Sequence, residues 1–322
     1  MKSLIFFAFV TPFTLFAADM LPSWKDGAVK ESIVSFIQKA QDKSSDAFIE
    51  VEDRVAVFDN DGTLWSEQPL YFQLFFAIER LQQMAEKDPS LKKEQPYKAV
   101  LEGDMKTFQS FGEKGIAQVV FKTHAGMPNE EFEQEVAEWI AKAKHPKTGR
   151  RFIDMTYQPM KELIQALHAA EFKCYIVSGG GASFMRPWVE EAYGIPRNRV
   201  IGSRVEIEYQ VQDGQPVLMR KAKLEFVDDK EGKPVGIYQV IGRRPVFAAG
   251  NSDGDFQMLE YTTAGKGARM GVLVHHTDAE REWAYDRESP IGHLVRGLDE
   301  AEERGWILID MKEHWKTIYG EE

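Results

Sequence analysis

A run of four apolar residues, Val55-Ala-Val-Phe58, ends abruptly in Asp59-Asn60-Asp61-Gly62-Thr63. This change of character constrains the fold more than any other stretch. Four to eight apolar, β-branched or aromatic residues closed by turn formers read as a buried strand. Two carboxylates, one residue apart, then stand where the strand opens into a loop. In open α/β sheets that edge, beyond the carboxyl ends of the strands, is where ligands bind. A glycine there lets the backbone approach closely. Asp, Asn and Gly are also ordinary turn formers, so the motif alone leaves both a turn and a site open.

The same grammar recurs downstream. Cys174 to Val177 reads as a second strand, closed by Ser178-Gly179-Gly180-Gly181 and a following helix. Gly-rich turns before helices present backbone N–H groups to anions, although three glycines equally make a tight turn. Pro245 to Ala249 reads as another strand, closed by Gly250-Asn251-Ser252-Asp253-Gly254-Asp255. A calcium-loop reading of that segment lacks the distal glutamate and the flanking helix pair. Val200-Ile201 and Met270 to Val274 complete five core strands. Asp213-Gly214 marks a hairpin between Val205–Val211 and Pro216–Met219. Helical stripes cover Asp26–Gln41 and Lys161–Ala170, and a short helix follows Lys233-Pro234. Strands alternating with helices predict an α/β fold with a mostly parallel sheet covered on both faces. Residues 69–156 are helical and rather polar, and read as an inserted helical cap. The core is then 19–68 and 157–322.

Composition sets bounds. The net charge of −11 argues against a nucleic-acid partner, which favours a basic face. Residues 1–18 form a secretory signal pattern: Lys2, an almost wholly apolar Ser3–Phe16, then Ala17-Ala18. Asp19 interrupts too soon for a membrane anchor, which wants about 20 apolar residues. The expectation is a periplasmic or secreted protein with no stable membrane anchor after cleavage. The lone Cys174 lies inside an apolar run and reads as a core residue.

Acids, a hydroxyl, a lysine and more acids follow in order, three of the groups at strand ends. In this the sequence resembles the haloacid dehalogenase superfamily of phosphatases. Asp59-Asn-Asp61-Gly-Thr63 is similar to its first motif, Ser178 to the second, Lys233 to the third and Gly250–Asp255 to the fourth. Ile176-Val-Ser178-Gly-Gly and the hairpin before Lys233 look most like the phosphoserine phosphatase branch. The resemblance implies a Rossmann-like core with an inserted cap. It implies an Mg2+-dependent phosphomonoester hydrolase acting on a small phosphorylated metabolite. Asp59 would be the nucleophile and Asp61 the acid/base. Ser178, Gly179, Lys233 and the Asn60 loop would bind the phosphoryl group, with Thr63 ordering that loop. Asp59, the Asp61 carbonyl, Asn251 and Asp255 would hold the metal, with Asp253 in reserve. The family often carries aspartate where this chain has Asn251. Glu67 lies near the place of a substrate-binding cap glutamate, one residue short, and also reads as a solvated carboxylate. Two alternatives remain: a phosphate-binding or scaffolding protein without turnover, and a phosphotransferase.

Overall fold

The computed structural model describes residues 19–320; the signal pattern at residues 1–18 lies outside them. Eight strands form one sheet. They are β1 (Val55–Phe58), β2 (Lys173–Gly181), β3 (Val200–Gln212), β4 (Gln215–Phe226), β5 (Phe247–Gly250), β6 (Met270–Thr277), β7 (Ala284–Tyr285) and β8 (Ile307–Asp310). Their order is β4-β3-β2-β1-β5-β6-β7, with β8 also on β6. The sheet is parallel except for the β3–β4 hairpin and the short β7.

β1 is central because both its faces are apolar. Ala56 and Phe58 enter one core with Ile176, Phe247 and Val274, while Val55 and Val57 enter the opposite core with Val177, Ala248 and Leu273. Side chains alternate along a strand, so an uninterrupted apolar run has to be buried on both sides. Each large side chain buried this way stabilises the fold by about 1.5–3 kcal/mol. Helices Ala28–Gln41 and Gln158–Ala169 cover the first face, and Gly232–Ile241 and Phe256–Thr263 the second. β2 lies on one side of β1 and β5 on the other, so the strand order reverses direction at β1. This is the topological switch point at which open α/β sheets hold ligands.

Between β1 and the helix Gln158–Ala169 the chain forms five α-helices: Phe72–Lys87, Tyr97–Glu102, Met105–Ser110, Gly112–His124 and Asn129–Ile140. Leu74, Leu81, Leu91, Val100, Phe108 and Val119 give this region a small core of its own. Phe76, Phe132, Val136 and Trp139 join it to the main core. The structure differs from the sequence reading in three respects. The third strand and the first hairpin arm are one continuous strand, β3. The three glycines after Ser178 are extended rather than a simple turn. Pairing jumps from Ser178–Gly202 to Gly181–Ser203, which leaves Gly179 and Gly180 bulged out. β7 and β8 were not expected from the sequence.

Candidate active site

Asp59, Ser178 and Asn251 come from sequence positions nearly 200 residues apart, yet they lie at the same end of three adjacent parallel strands, Asp59 and Asn251 just past β1 and β5 and Ser178 just before the bulge of β2. Phe58 pairs with both Ile176 and Ala249, so the residues that follow converge. Lys233 enters from the first turn of the helix Gly232–Ile241. Its Nζ donates to Asp59 Oδ1 at 2.6 Å, Asp255 Oδ1 at 2.5 Å and the Val177 carbonyl at 2.9 Å. Two glycines bring that helix close to the sheet. A Cβ at Gly232 would lie 2.1 Å from the Val227 carbonyl oxygen, and one at Gly236 2.5 Å from Asp228 Oδ1.

Of the carboxylates around this lysine, Asp59, Glu67 and Asp255 are buried, and Asp61 is half-buried on the cavity. Burial disfavours the charge on Lys233, but Asp255 and Asp59 more than offset this and raise its pKa above the usual lysine value. Burial and the Asp255 charge push the Asp59 carboxyl well up, against the pull of Lys233. Burial also lifts Asp61, to about 6, while the Trp65 Nε1–H, 2.9 Å from Asp61 Oδ1, favours its ionised form. Both acids are thus pushed towards the protonated form; Asp61 can hold a proton at mild pH, as acid/base chemistry needs, while Lys233 at 2.6 Å favours the charged form of Asp59.

The structure assigns different surroundings to several residues singled out in the sequence. Asp255 has both oxygens committed: Oδ1 to Lys233, and Oδ2 to the amides of Asn251 and Ser252 and to Ser252 Oγ. It anchors the lysine and the loop, and in this arrangement it faces Lys233. Asp253 accepts from the amides of Val295, Arg296 and Gly297. The side chain of Asn60 accepts from Tyr193 OH at 3.1 Å, so its amide group is turned into the core. The Thr63 hydroxyl donates to Asn251 Oδ1 at 3.2 Å, consistent with a loop-ordering role. The Ser178 hydroxyl accepts from the Gly180 N–H at 3.1 Å, and Gly179 is exposed on the cavity. Glu67 is neither on the cap nor solvated. It is 2% exposed, and its Oε1 accepts from Asn251 Nδ2 and Tyr285 OH, each at 2.7 Å. Burial holds its carboxyl well above the usual range.

Several contributors carried no signal in the sequence. Ser203 donates to the Gly179 carbonyl at 2.8 Å and accepts from the Asp228 N–H at 3.1 Å, bracing the glycine bulge. His276 Nε2 lies 2.7 Å from the Gly62 carbonyl, and its Nδ1 3.2 Å from Glu282, so one strand of the far sheet half supports the Asp59 loop. Gln73 accepts from the Gly181 N–H at 2.8 Å and meets His124 at 3.2 Å. His124 is buried on the cavity wall.

A cavity of about 1010 Å³ opens over Asp59, Asp61, Ser178 and Lys233 and extends beneath the inserted helices. Whether these residues fit a divalent cation follows from the donors. The Asp59 carboxylate, the Asp61 main-chain carbonyl and the Asn251 carbonyl are all hard oxygens, the type Mg2+ prefers. A surplus of buried carboxylate over one lysine also favours a cation there. Glu67 takes the Nδ2 side of Asn251, which fixes the amide with Oδ1 away from it, and Oδ1 has a second lone pair beyond the one facing Thr63. Among the described residues no three His, Cys, Asp or Glu gather as a metal site, so the set depends on an amide and a backbone carbonyl. The residues fit Mg2+.

The parallel sheet, the inserted helices and an aspartate pair at the switch point define a hydrolase with a Rossmann-like α/β core. The chain belongs to the haloacid dehalogenase-like hydrolase family, whose model matches residues 56–260. Among solved structures it is similar to a protein of unknown function from Bordetella pertussis Tohama I, with 18% identity and a TM-score of 0.50, covering 80% of this chain and 98% of that one. It is also similar to a conserved functionally unknown protein from Anaerococcus prevotii DSM 20548, with 16% identity, a TM-score of 0.46, and 78% and 86% coverage. A phosphoserine phosphohydrolase-like protein from Francisella tularensis subsp. tularensis SCHU S4 gives 17% identity, a TM-score of 0.38, and 78% and 98% coverage. No curated protein matches the chain.

Proposed function

We propose that the protein is an Mg2+-dependent phosphomonoester hydrolase that works through an aspartyl-phosphate on Asp59. The observation that carries this reading is Lys233 bridging Asp59 and Asp255 at the switch point, with Asp61 half-buried on the same cavity. Asp59 attacks phosphorus as the bond from phosphorus to the ester oxygen breaks. Asp61 gives its proton to that oxygen, which leaves as the alcohol. Asp61, now ionised, takes a proton from water as the water oxygen attacks the same phosphorus. The bond to Asp59 breaks, inorganic phosphate leaves and Asp61 is protonated again. Lys233, the Ser178 hydroxyl and the N–H groups of the glycine bulge bind the phosphoryl oxygens. Asp59, the Asp61 carbonyl and Asn251 would hold Mg2+, which offsets phosphate charge against the nucleophile. Asp255 keeps Lys233 charged and in place.

The signal pattern at residues 1–18 supports export to the periplasm or medium, and an ester-scavenging role there. Among the described residues no helix is long and apolar enough to cross a membrane. The test is a panel of phosphomonoesters assayed with Mg2+ and with chelator. Hydrolysis that chelator abolishes is expected. Asp59→Asn should lower kcat by about three orders of magnitude or more while the melting temperature stays within a few degrees. Unchanged turnover in Asp59→Asn would rule out the nucleophile, and would favour a phosphate-binding role for the site.

A further inference from the structure

The hairpin of β3 and β4 is amphipathic in an unusual place. Residues that face one another across an antiparallel pair share a face. Val205 opposes Leu224, Ile207 opposes Arg220, Tyr209 opposes Leu218 and Val211 opposes Pro216, so one face of the hairpin is apolar except for Arg220, which is buried against the inserted helices. The other face is charged, with Lys221 paired to Glu208 at 2.8 Å and Lys223 to Glu206 at 2.6 Å. On the apolar face, Ile207, Leu218 and Leu224 are 38%, 42% and 46% exposed. Opposite them stands Ile116 of the helix Gly112–His124, 40% exposed, and beside them Val227, 49% exposed. All five line the cavity that ends at Asp59 and Lys233. Single exposed apolar residues are ordinary; five on three segments around one cavity mark a binding surface.

We infer that the substrate is a phosphomonoester of an extended apolar alcohol, its phosphoryl group at Asp59 and its apolar portion along the inner face of the hairpin. The inference rests on the phosphatase reading and adds the class of leaving group. Size supports it, because about 1010 Å³ is the upper end of the range for drug-sized ligands and far exceeds what a short polar alcohol fills. Of the cations on the wall, Arg220 is bound to the His124 carbonyl and Asn129 Oδ1, while Lys114, Arg186 and Lys230 also line the cavity, so the wall is mixed and the hairpin face is its apolar part. Beyond the cavity the same face continues through Tyr209 and Val211, 67% and 60% exposed. At about 3.4 Å per residue, Val205 to Val211 offers roughly 20 Å of apolar track.

The test uses the full mature protein with Mg2+ and n-alkyl phosphates from ethyl to decyl below their micellar concentrations, beside phosphoserine and glycerol phosphate. The expected result is a kcat/KM that climbs about two- to fourfold per methylene, at least about a hundredfold from ethyl to decyl. Leu218→Ser combined with Leu224→Ser should flatten that climb, so that the decyl-to-ethyl ratio falls at least tenfold. Hydrolysis with no dependence on chain length, or with phosphoserine preferred, would overturn the inference and leave the phosphatase reading standing. No hydrolysis of any ester would overturn both. A flat profile together with a dimer that the double variant dissociates would assign this face to a second copy of the chain instead, and the inference would fail.

Discussion

Asp228 illustrates how much a single enclosed charge can cost. It is fully buried, and neither carboxylate oxygen has a hydrogen-bond partner among the described residues. Burial raises its pKa to about 7, with the Lys233 and Arg204 charges pulling the other way. The folded state therefore holds this proton more tightly than the unfolded chain, whose carboxyl titrates near 4. Its contribution is most favourable below pH 4 and is lost as pH rises towards 7. Asp228→Asn cannot ionise. Its stability relative to the parent should rise between pH 5 and pH 8 by about 1–3 kcal/mol, read as a few degrees of melting temperature. A difference that stays constant over that interval would show that Asp228 does not titrate there. Nothing in the sequence marks this residue: Asp228-Asp229-Lys230-Glu231 reads as a solvated charged loop, and only the packing of Gly236 against it makes it interior.

Among the elements, the loop after β1 depends on glycine for two separable reasons. Gly62 has a φ of +72°, and a Cβ there would lie 2.0 Å from Asn251 Nδ2 and 2.4 Å from Glu67 Oε1. Gly103 has the same φ of +72° but open space around it. Gly103→Ala should cost about 1 kcal/mol, the left-handed backbone term alone. Gly62→Ala should cost at least 1–3 kcal/mol more, because the loop must move away from Asn251. It should also weaken the stabilisation by Mg2+ seen in thermal melts. Equal losses in the two variants would mean that the loop adapts freely. The conformational need was legible, since Asp-Gly after a strand signals a turn. The close approach was not, because Asn251 and Glu67 are distant in sequence from each other.

At the scale of the whole molecule, the inserted helices and the hairpin close the cavity together. Arg220 of β4 is the principal tie. Its Nε donates to the His124 carbonyl at 2.5 Å, its Nη1 to Asn129 Oδ1 at 2.7 Å, and its guanidinium lies 4.0 Å over the Phe132 ring. Burial brings its pKa down to about 10, which leaves it charged at neutral pH. Backbone bonds reinforce the junction, between Gly126 N–H and the Arg220 carbonyl at 2.8 Å and between Arg220 N–H and the Met127 carbonyl at 3.0 Å. Arg220→Ala should destabilise the protein by about 2–4 kcal/mol in denaturant unfolding, since the buried His124 carbonyl and the half-buried Asn129 Oδ1 lose a charged donor and Phe132 loses its cation. KM should rise more than kcat falls, because the wall loosens while the Asp59 centre is held by other elements. Parent-like stability would show that the backbone bonds alone secure the wall.

What the sequence by itself determined is local and periodic. An apolar run must be buried, its polar terminus must leave the sheet, and alternating elements favour parallel strands. These rules placed Asp59, Ser178 and the Gly250–Asp255 loop at strand ends, and the order of the motifs pointed to the family. The tertiary structure decided which oxygens are free and which are used. It turned Asp255 to Lys233, sent Asp253 to the amides of residues 295–297, and drew Glu67 inward to Asn251 and Tyr285. It also turned the apolar face of the hairpin towards the site. The physical reason is that hydrogen-bond partners and burial come from residues up to more than 200 positions apart, where no local periodicity can report them.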